Sequence, residues 1–235
     1  MLKVRALNQH YGQSHVLRNV ALEVAESEIH CLMGRNGVGK TTLVKALLGL
    51  VPAQAEALSL ATQDLRTKRV ESRVDLGMGY VPQGRMIFPD LSVGENLELA
   101  LTRRALSSAT RTVLDLSLVH EFFPVLREMR ERRGGDLSGG QQQQLAIGRA
   151  LLTQPRLLIL DEPCEGIQPN IVSLIGSVLE RLRDEMQISI LLIEQKLPFA
   201  RRYADRFSLM DRGQIVAGGP IEALNDQLVD EFLTV

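Results

Sequence analysis

Residues 29–48 run Ile29-His30-Cys31-Leu32-Met33, then Gly34-Arg35-Asn36-Gly37-Val38-Gly39-Lys40-Thr41-Thr42, then Leu43-Val44-Lys45-Ala46-Leu47-Leu48. A short apolar run passes through a glycine-rich turn into an amphipathic helix. Gly34, Gly37 and Gly39 have no Cβ, so the backbone can bend tightly and aim its N–H groups at one point. A helix from about Lys40 adds its positive N-terminal end. Lys40 supplies a mobile charge for β- and γ-phosphates, and the Thr41 hydroxyl is placed to ligate an accompanying Mg²⁺. Every position of G-x-x-x-x-G-K-[ST] is filled. Taken alone, Asn36-Gly37 also suits a hairpin turn with Lys40 solvated; a strand before and a helix after select the phosphate reading.

At 235 residues, with 45% hydrophobic residues and interspersed charge, the chain can bury one large core or two unequal lobes without covalent staples. A net charge of −1 gives no general attraction to nucleic acid or anionic lipid. No apolar run approaches the roughly 20 residues that span a bilayer, and Met1-Leu2-Lys3-Val4-Arg5 begins as a strand rather than a signal peptide. A cytoplasmic location is expected, with any membrane association coming from a protein partner. Cys31 and Cys164 fit no C-x-x-C or Cys/His spacing, and His10, His15, His30 and His120 are scattered, so reduced thiols and no zinc are expected. Cys164 reads as a small semi-apolar filler.

The first 28 residues alternate apolar and polar with a turn at Tyr11-Gly12-Gln13, which predicts antiparallel strands ahead of the phosphate turn. Tyr11 offers a ring that could stack on a base. A strand is predicted over 57–60, a charged surface helix over 66–75, and a short strand over 77–83 ending in Gln83, whose amide oxygen can face a metal or water. Gly84-Arg85-Met86-Ile87-Phe88-Pro89 reads as a loop with apolar residues, either packed or presented to a partner. Ser92 and Glu95 are spaced as a capping box, opening a mostly helical region to about Gln154. Arg127, Arg130, Arg132 and Arg133 alternate with Glu128 and Glu131 without an aromatic platform, which favours a solvated helix face over nucleic-acid contact.

Ser138-Gly139-Gly140-Gln141 has the spacing of a second capping box, and the same geometry makes a second anion site. One phosphate turn is already present, so this second helix start is expected to serve another molecule's nucleotide. Leu157-Leu158-Ile159-Leu160-Asp161-Glu162 is an apolar run ended by two carboxylates, as in a strand buried on both faces with its chemistry at the carboxyl edge. Asp161 is the natural magnesium partner, and Glu162 is placed to orient or deprotonate a water. Helix starts are predicted at Pro169 and Ile221, a further buried strand over 188–193 ending in Glu194-Gln195, and a hairpin at 211–214.

Together these stretches resemble the nucleotide-binding subunit of ATP-binding-cassette (ABC) transporters over essentially the whole chain. The resemblance implies an α/β P-loop NTPase fold: a nucleotide-binding core with an antiparallel β part and a helical subdomain inserted over roughly 86–154, all in one domain, 1–235. It assigns residues 34–42 to the Walker A loop, Tyr11 to adenine stacking, Gln83 to the Q-loop, residues 137–141 to the family signature, and Asp161-Glu162 to Walker B. Cassettes of this family dimerise head to tail, each signature closing over the other's ATP. Two positions depart from the general pattern. Gln195 stands where most cassettes carry a switch histidine; it can donate to the γ-phosphate but cannot titrate. Glu165-Gly166-Ile167-Gln168 replaces the usual loop with an aspartate after Walker B.

Gln195, the stretch 79–89 and Glu165-Gly166-Ile167-Gln168-Pro169 are similar to the branch serving branched-chain amino acid and urea uptake, and residues 34–40, the run Gln141–Gln144 and residues 165–169 are similar to its urea ATPases. The implied function is an Mg²⁺-dependent ATPase driving uptake of urea, or alternatively of branched-chain amino acids, from the cytoplasmic membrane face. Implied partners are two permeases, a second ATPase subunit or a second copy, and, indirectly, a solute-binding protein; nucleic acid is not among them. The apolar stretch 85–88 beside Gln83 is the candidate permease contact. A soluble cassette protein of repair or translation is the remote alternative, disfavoured by the absence of fused cassettes or long coiled coils.

Overall fold

The computed structural model describes residues 1–105 and 115–234; the stretch 106–114 of the expected helical region lies outside them. Parallel strands β3 (Ile29–Met33), β6 (Met78–Val81), β7 (Leu157–Asp161) and β8 (Ser189–Ile193) join β9 (Arg206–Asp211) and β10 (Gln214–Pro220) in one sheet of order β10-β9-β3-β8-β7-β6. Only β10 runs antiparallel, to β9. The continuous apolar runs follow from burial on both faces. Ile29, Cys31 and Met33 enter one apolar cluster with Leu158, Leu160, Ile190 and Leu192, while Leu32, Ile159, Leu191 and Ile193 point into the other. Burying each Leu or Ile this way contributes about 1.5–3 kcal/mol.

One cluster is roofed by α1 (Lys40–Leu48) and by a second sheet of β1 (Leu2–Tyr11), β2 (Ser14–Val24), β4 (Ala57–Leu60) and β5 (Gln63–Asp64), in the order β2-β1-β4-β5. The opposite cluster is roofed by α3 (Val93–Ala105), α4 (Leu116–Phe122), α5 (Pro124–Glu128) and α6 (Gly139–Leu152), together with α7 (Pro169–Asp184) and α8 (Leu197–Tyr203). α3 to α6 all fall between β6 and β7 in sequence. Both predicted capping boxes form: Glu95 N donates to Ser92 Oγ at 3.1 Å, and Ser92 N to Glu95 Oε2 at 2.7 Å. At α6, Ser138 N donates to Gln141 Oε1 at 2.9 Å and Gln141 N to Ser138 Oγ at 3.4 Å.

The structure departs from the sequence reading at the second helix, at the tail helix and along the arginine-rich segment. α2 spans only Val70–Asp75, because the Asp64 carboxylate accepts from Arg66 N at 3.0 Å and closes a turn after β5. The tail makes one 3₁₀ turn over Ile221–Ala223, and its helix α9 (Asp226–Phe232) starts only where Asn225 caps Leu228 N at 3.0 Å. Of the four arginines expected on a solvated helix face, only Arg127 is on a helix; Arg130, Arg132 and Arg133 lie exposed in the segment after α5.

Candidate nucleotide and catalytic site

The parallel strands deliver their polar ends to one edge of the sheet. β3 runs into the glycine turn, β6 into Gln83, β7 into Asp161 and Glu162, and β8 into Glu194 and Gln195. Such an edge is where open α/β sheets bind ligands. In the turn Gly37 has φ 81° and Gly39 φ 114°, a region a side chain would strain. A Cβ on Gly39 would also stand 3.1 Å from Leu17 Cδ2. α1 begins directly after Gly39, so its free N–H groups open toward the turn.

Lys40 is buried, and its ammonium donates to the carbonyls of Gly34 at 2.6 Å and Arg35 at 2.9 Å, folding the turn over itself. Burial lowers its pKa, against the pull of Glu162, Asp161 and Glu194. The Arg35 side chain is exposed, and Val38 is tied to the tail hairpin by Gly213 N donating to its carbonyl at 2.8 Å. Gly37, Gly39, Lys40, Thr41 and Thr42 face Gln83, Glu162 and Glu165 across a cleft of about 410 Å³. Gln83 Nε2 donates to Glu162 Oε2 at 3.2 Å and to Glu165 Oε2 at 3.0 Å. Gln195 Nε2 donates to Asn36 Oδ1 at 2.8 Å and to the Glu162 carboxylate. The three residues read from sequence as catalytic, Gln83, Glu162 and Gln195, are thus directly connected.

Asp161 is 3% exposed, and its Oδ2 has no hydrogen-bond partner. Burial and the neighbouring Glu162 charge push its carboxyl up to about 6, while Lys40, the Tyr80 hydroxyl and Lys45 pull the other way. Glu194 is equally buried; its Oε1 accepts from Gln195 N at 2.8 Å and Lys196 N at 3.0 Å, fixing the turn that carries Gln195. Cys31 and Cys164 are both buried free thiols, held protonated by burial and by the Glu194 charge.

Not every expected residue reaches the cleft. Tyr11 ends β1 opposite Ser14, half exposed, and Val16 of β2 lines the cleft instead. Ser138, Gly139, Gly140 and Gln141 also lie outside it, with Ser138 exposed. Glu165 was not singled out from sequence as a site residue; its position three residues past Glu162 was the available signal. Arg85 was likewise missed as a tie. Its guanidinium donates to Gln142 Oε1 at 3.2 Å and to the Glu165 carbonyl at 3.4 Å, linking α6 to the loop after β7.

The family described as "ABC transporter" matches residues 17–165. The high-affinity branched-chain amino acid transport ATP-binding protein BraG of Pseudomonas aeruginosa is 35% identical over 235 residues, 99% of both chains. The probable branched-chain amino acid transport ATP-binding protein LivF of Archaeoglobus fulgidus is 32% identical, over 95% of this chain and 94% of its own. The lipopolysaccharide export system ATP-binding protein LptB of Escherichia coli is 33% identical over 97% and 94%. Among solved structures, an ATP-binding subunit of an ABC transporter superposes with a TM-score of 0.82 at 28% identity, covering 97% of this chain and 93% of that one. The cassette fold, the phosphate turn at its sheet edge and these whole-length likenesses agree: the chain belongs to the ABC transporter family, as an ATP-hydrolysing, ATP-binding subunit.

Proposed function

We propose that the chain powers an importer of branched-chain amino acids. The observation that carries the catalytic part is the single cleft in which the phosphate turn faces Gln83 and Glu162. A triphosphate tail gripped by Gly34, Gly37, Gly39 and Lys40, with Arg35, Asn36, Val38 and Thr42 completing the loop, presents its γ-phosphate to those two side chains. Glu162 then orients and deprotonates the attacking water, and Gln195 donates to the γ-phosphate. Tyr11 is offered to the adenine ring. The donors this reading gives to magnesium are hard oxygens: the Thr41 hydroxyl and the Gln83 amide oxygen, whose residues line the cleft, and the buried Asp161 Oδ2, which has no hydrogen-bond partner. Such an ion would neutralise charge building on the phosphate oxygens.

In this reading residues 86–154 form the helical subdomain, and Ser138-Gly139-Gly140-Gln141 caps the ATP held by a partner, either a second ATPase subunit or another copy. The dimer works on the cytoplasmic membrane face against two permeases fed by a solute-binding protein. No helix among the described residues is long and apolar enough to cross a membrane, in keeping with a peripheral place. Branched-chain amino acids are preferred as cargo because BraG and LivF carry that transport in their names. Urea rests on the resemblance carried by residues 34–40, 141–144 and 165–169. Uptake of labelled leucine and urea by cells lacking this chain separates the two. Leucine uptake is expected to fall and to be restored by the wild-type chain but not by Lys40→Ala. Loss of urea uptake alone favours the urea reading, and no loss of either contradicts import.

A further inference from the structure

The nucleotide cleft holds a carboxylate that the proposed chemistry leaves unused. Glu165 lines it together with Gln83 and Glu162, three residues past Glu162 in the loop after β7. The backbone of that loop is tightly tied. Glu162 stands at φ 49°, a left-handed conformation that residues with a side chain rarely adopt. Pro163 fixes the next φ, and Glu165 N donates to the Glu162 carbonyl at 3.1 Å, closing the turn. Two cations hold it from outside: Lys196 Nζ donates to the Cys164 carbonyl at 2.5 Å, and the Arg85 guanidinium to the Glu165 carbonyl at 3.4 Å. The exposed Glu165 side chain therefore leaves from a backbone secured on three sides.

Its carboxylate ends a chain of side chains. Gln195 Nε2 donates to Asn36 Oδ1 at 2.8 Å and to Glu162 Oε1, while Gln83 Nε2 donates to Glu162 Oε2 at 3.2 Å and to Glu165 Oε2 at 3.0 Å. Linked side chains of this kind hold one another in place. Ionised carboxylates only accept hydrogen bonds, whereas an amide has one donating and one accepting end. Between two acids Gln83 has to present its nitrogen, and its oxygen is left on the far side of the group. A contact to Glu162 alone would let the amide turn about that one hydrogen bond. Two acceptors on one nitrogen fix its plane, and the hydrogens between them offset the repulsion of two like charges.

We propose that Glu165 is a positioning residue for ATP hydrolysis: by holding the second N–H of Gln83, it fixes which end of that amide faces Glu162 and which is left for the reacting phosphate. The inference rests on the roles given above to Gln83 and Glu162. Glu165 touches neither nucleotide nor attacking water and acts through Gln83. The role requires its hydrogen-bond capacity rather than its charge. Glu165→Gln keeps an acceptor and removes the charge, and Glu165→Met keeps the length of the side chain and removes both.

Both variants alter an exposed side chain and leave the backbone ties of the loop in place. In the full chain without nucleotide or metal, the Gln83 side-chain N–H resonances are assigned by their absence from Gln83→Ala. They should move toward solvent-like positions in Glu165→Met and move less in Glu165→Gln. With ATP and magnesium, Glu165→Met should lower kcat about tenfold with KM for ATP within about twofold, and Glu165→Gln should keep kcat within about threefold of wild type. Wild-type turnover in Glu165→Met, equal losses in the two variants, or Gln83 resonances that do not respond to Glu165→Met overturns the proposal. Glu162→Gln measured beside them separates two kinds of failure. Lost hydrolysis there with Glu165→Met unaffected removes the role of Glu165 alone, whereas normal hydrolysis in both removes the reading of the site as well.

Discussion

Asp161 shows how one buried carboxylate couples the site to the stability of the chain. Its folded-state pKa of about 6 lies above the ordinary value of 3.8. Across that interval the folded chain keeps a proton that the unfolded chain has released, so this group's contribution makes stability fall as pH rises from about 4 to about 6 and then level off. In metal-free protein, Asp161→Asn should remove that slope and raise stability at pH 7 by on the order of 1–3 kcal/mol, while ending magnesium-dependent hydrolysis. Chemical denaturation of both proteins at pH 4.5 and pH 7 measures the difference, and parallel losses would refute it. Lys40 gives a second residue-level expectation. Its ammonium satisfies two carbonyls of the turn, so Lys40→Ala should weaken ATP binding by about tenfold to a hundredfold and lower the melting temperature as well. Unchanged ATP affinity in titration calorimetry would remove the phosphate turn from the site.

At the scale of elements, α1 is held firmly at its C-terminal end. Its C-terminus closes on Gly49 at φ 79°, and the buried Arg73 guanidinium reaches in from α2. Arg73 Nη1 donates to the Ala46 carbonyl at 2.9 Å and the Leu47 carbonyl at 2.5 Å, and Nη2 to the Leu65 carbonyl at 2.8 Å. Arg73→Met should therefore cost about 1–3 kcal/mol in urea denaturation, because it takes the donor from the Leu47 carbonyl and leaves the Ala46 and Leu65 carbonyls only the Gly49 and Lys68 N–H groups. A change within about 0.5 kcal/mol would show water replacing the guanidinium. Arg73 was not legible in the sequence: nothing in its local pattern distinguishes a buried cap from a charged residue on a surface helix. The elements that carry chemistry were legible because local pattern and burial agree there. The apolar runs of β3, β7 and β8 each end in polar residues at one sheet edge, and Ser92 and Ser138 cap their helices through pairings three residues long. The misread tail helix failed for the converse reason, since Ile221 packs as a buried 3₁₀ turn while Asn225 holds the better cap.

For the whole molecule, the two-faced sheet separates two jobs. α1 and the antiparallel sheet brace the phosphate turn from one face, and α3 to α6 on the other present the Ser138 helix start away from it. Arg85 bridges them, joining α6 to the loop that carries Glu165. Arg85→Ala should leave ATP affinity within about twofold and lower turnover, since it touches no residue of the phosphate turn; an equal fall in both would place Arg85 in binding. What sequence could not supply is which carboxylates and amides meet, because Gln83, Glu162 and Gln195 are brought together only by the strand order β3-β8-β7-β6. Their meeting point is the centre of the proposed mechanism, and Glu162→Gln tests it most directly. With ATP and magnesium, the variant should bind nucleotide as the wild type does and hydrolyse it about 10²–10⁴-fold more slowly. Hydrolysis at the wild-type rate would take the water-activating role from Glu162 and contradict the site as drawn.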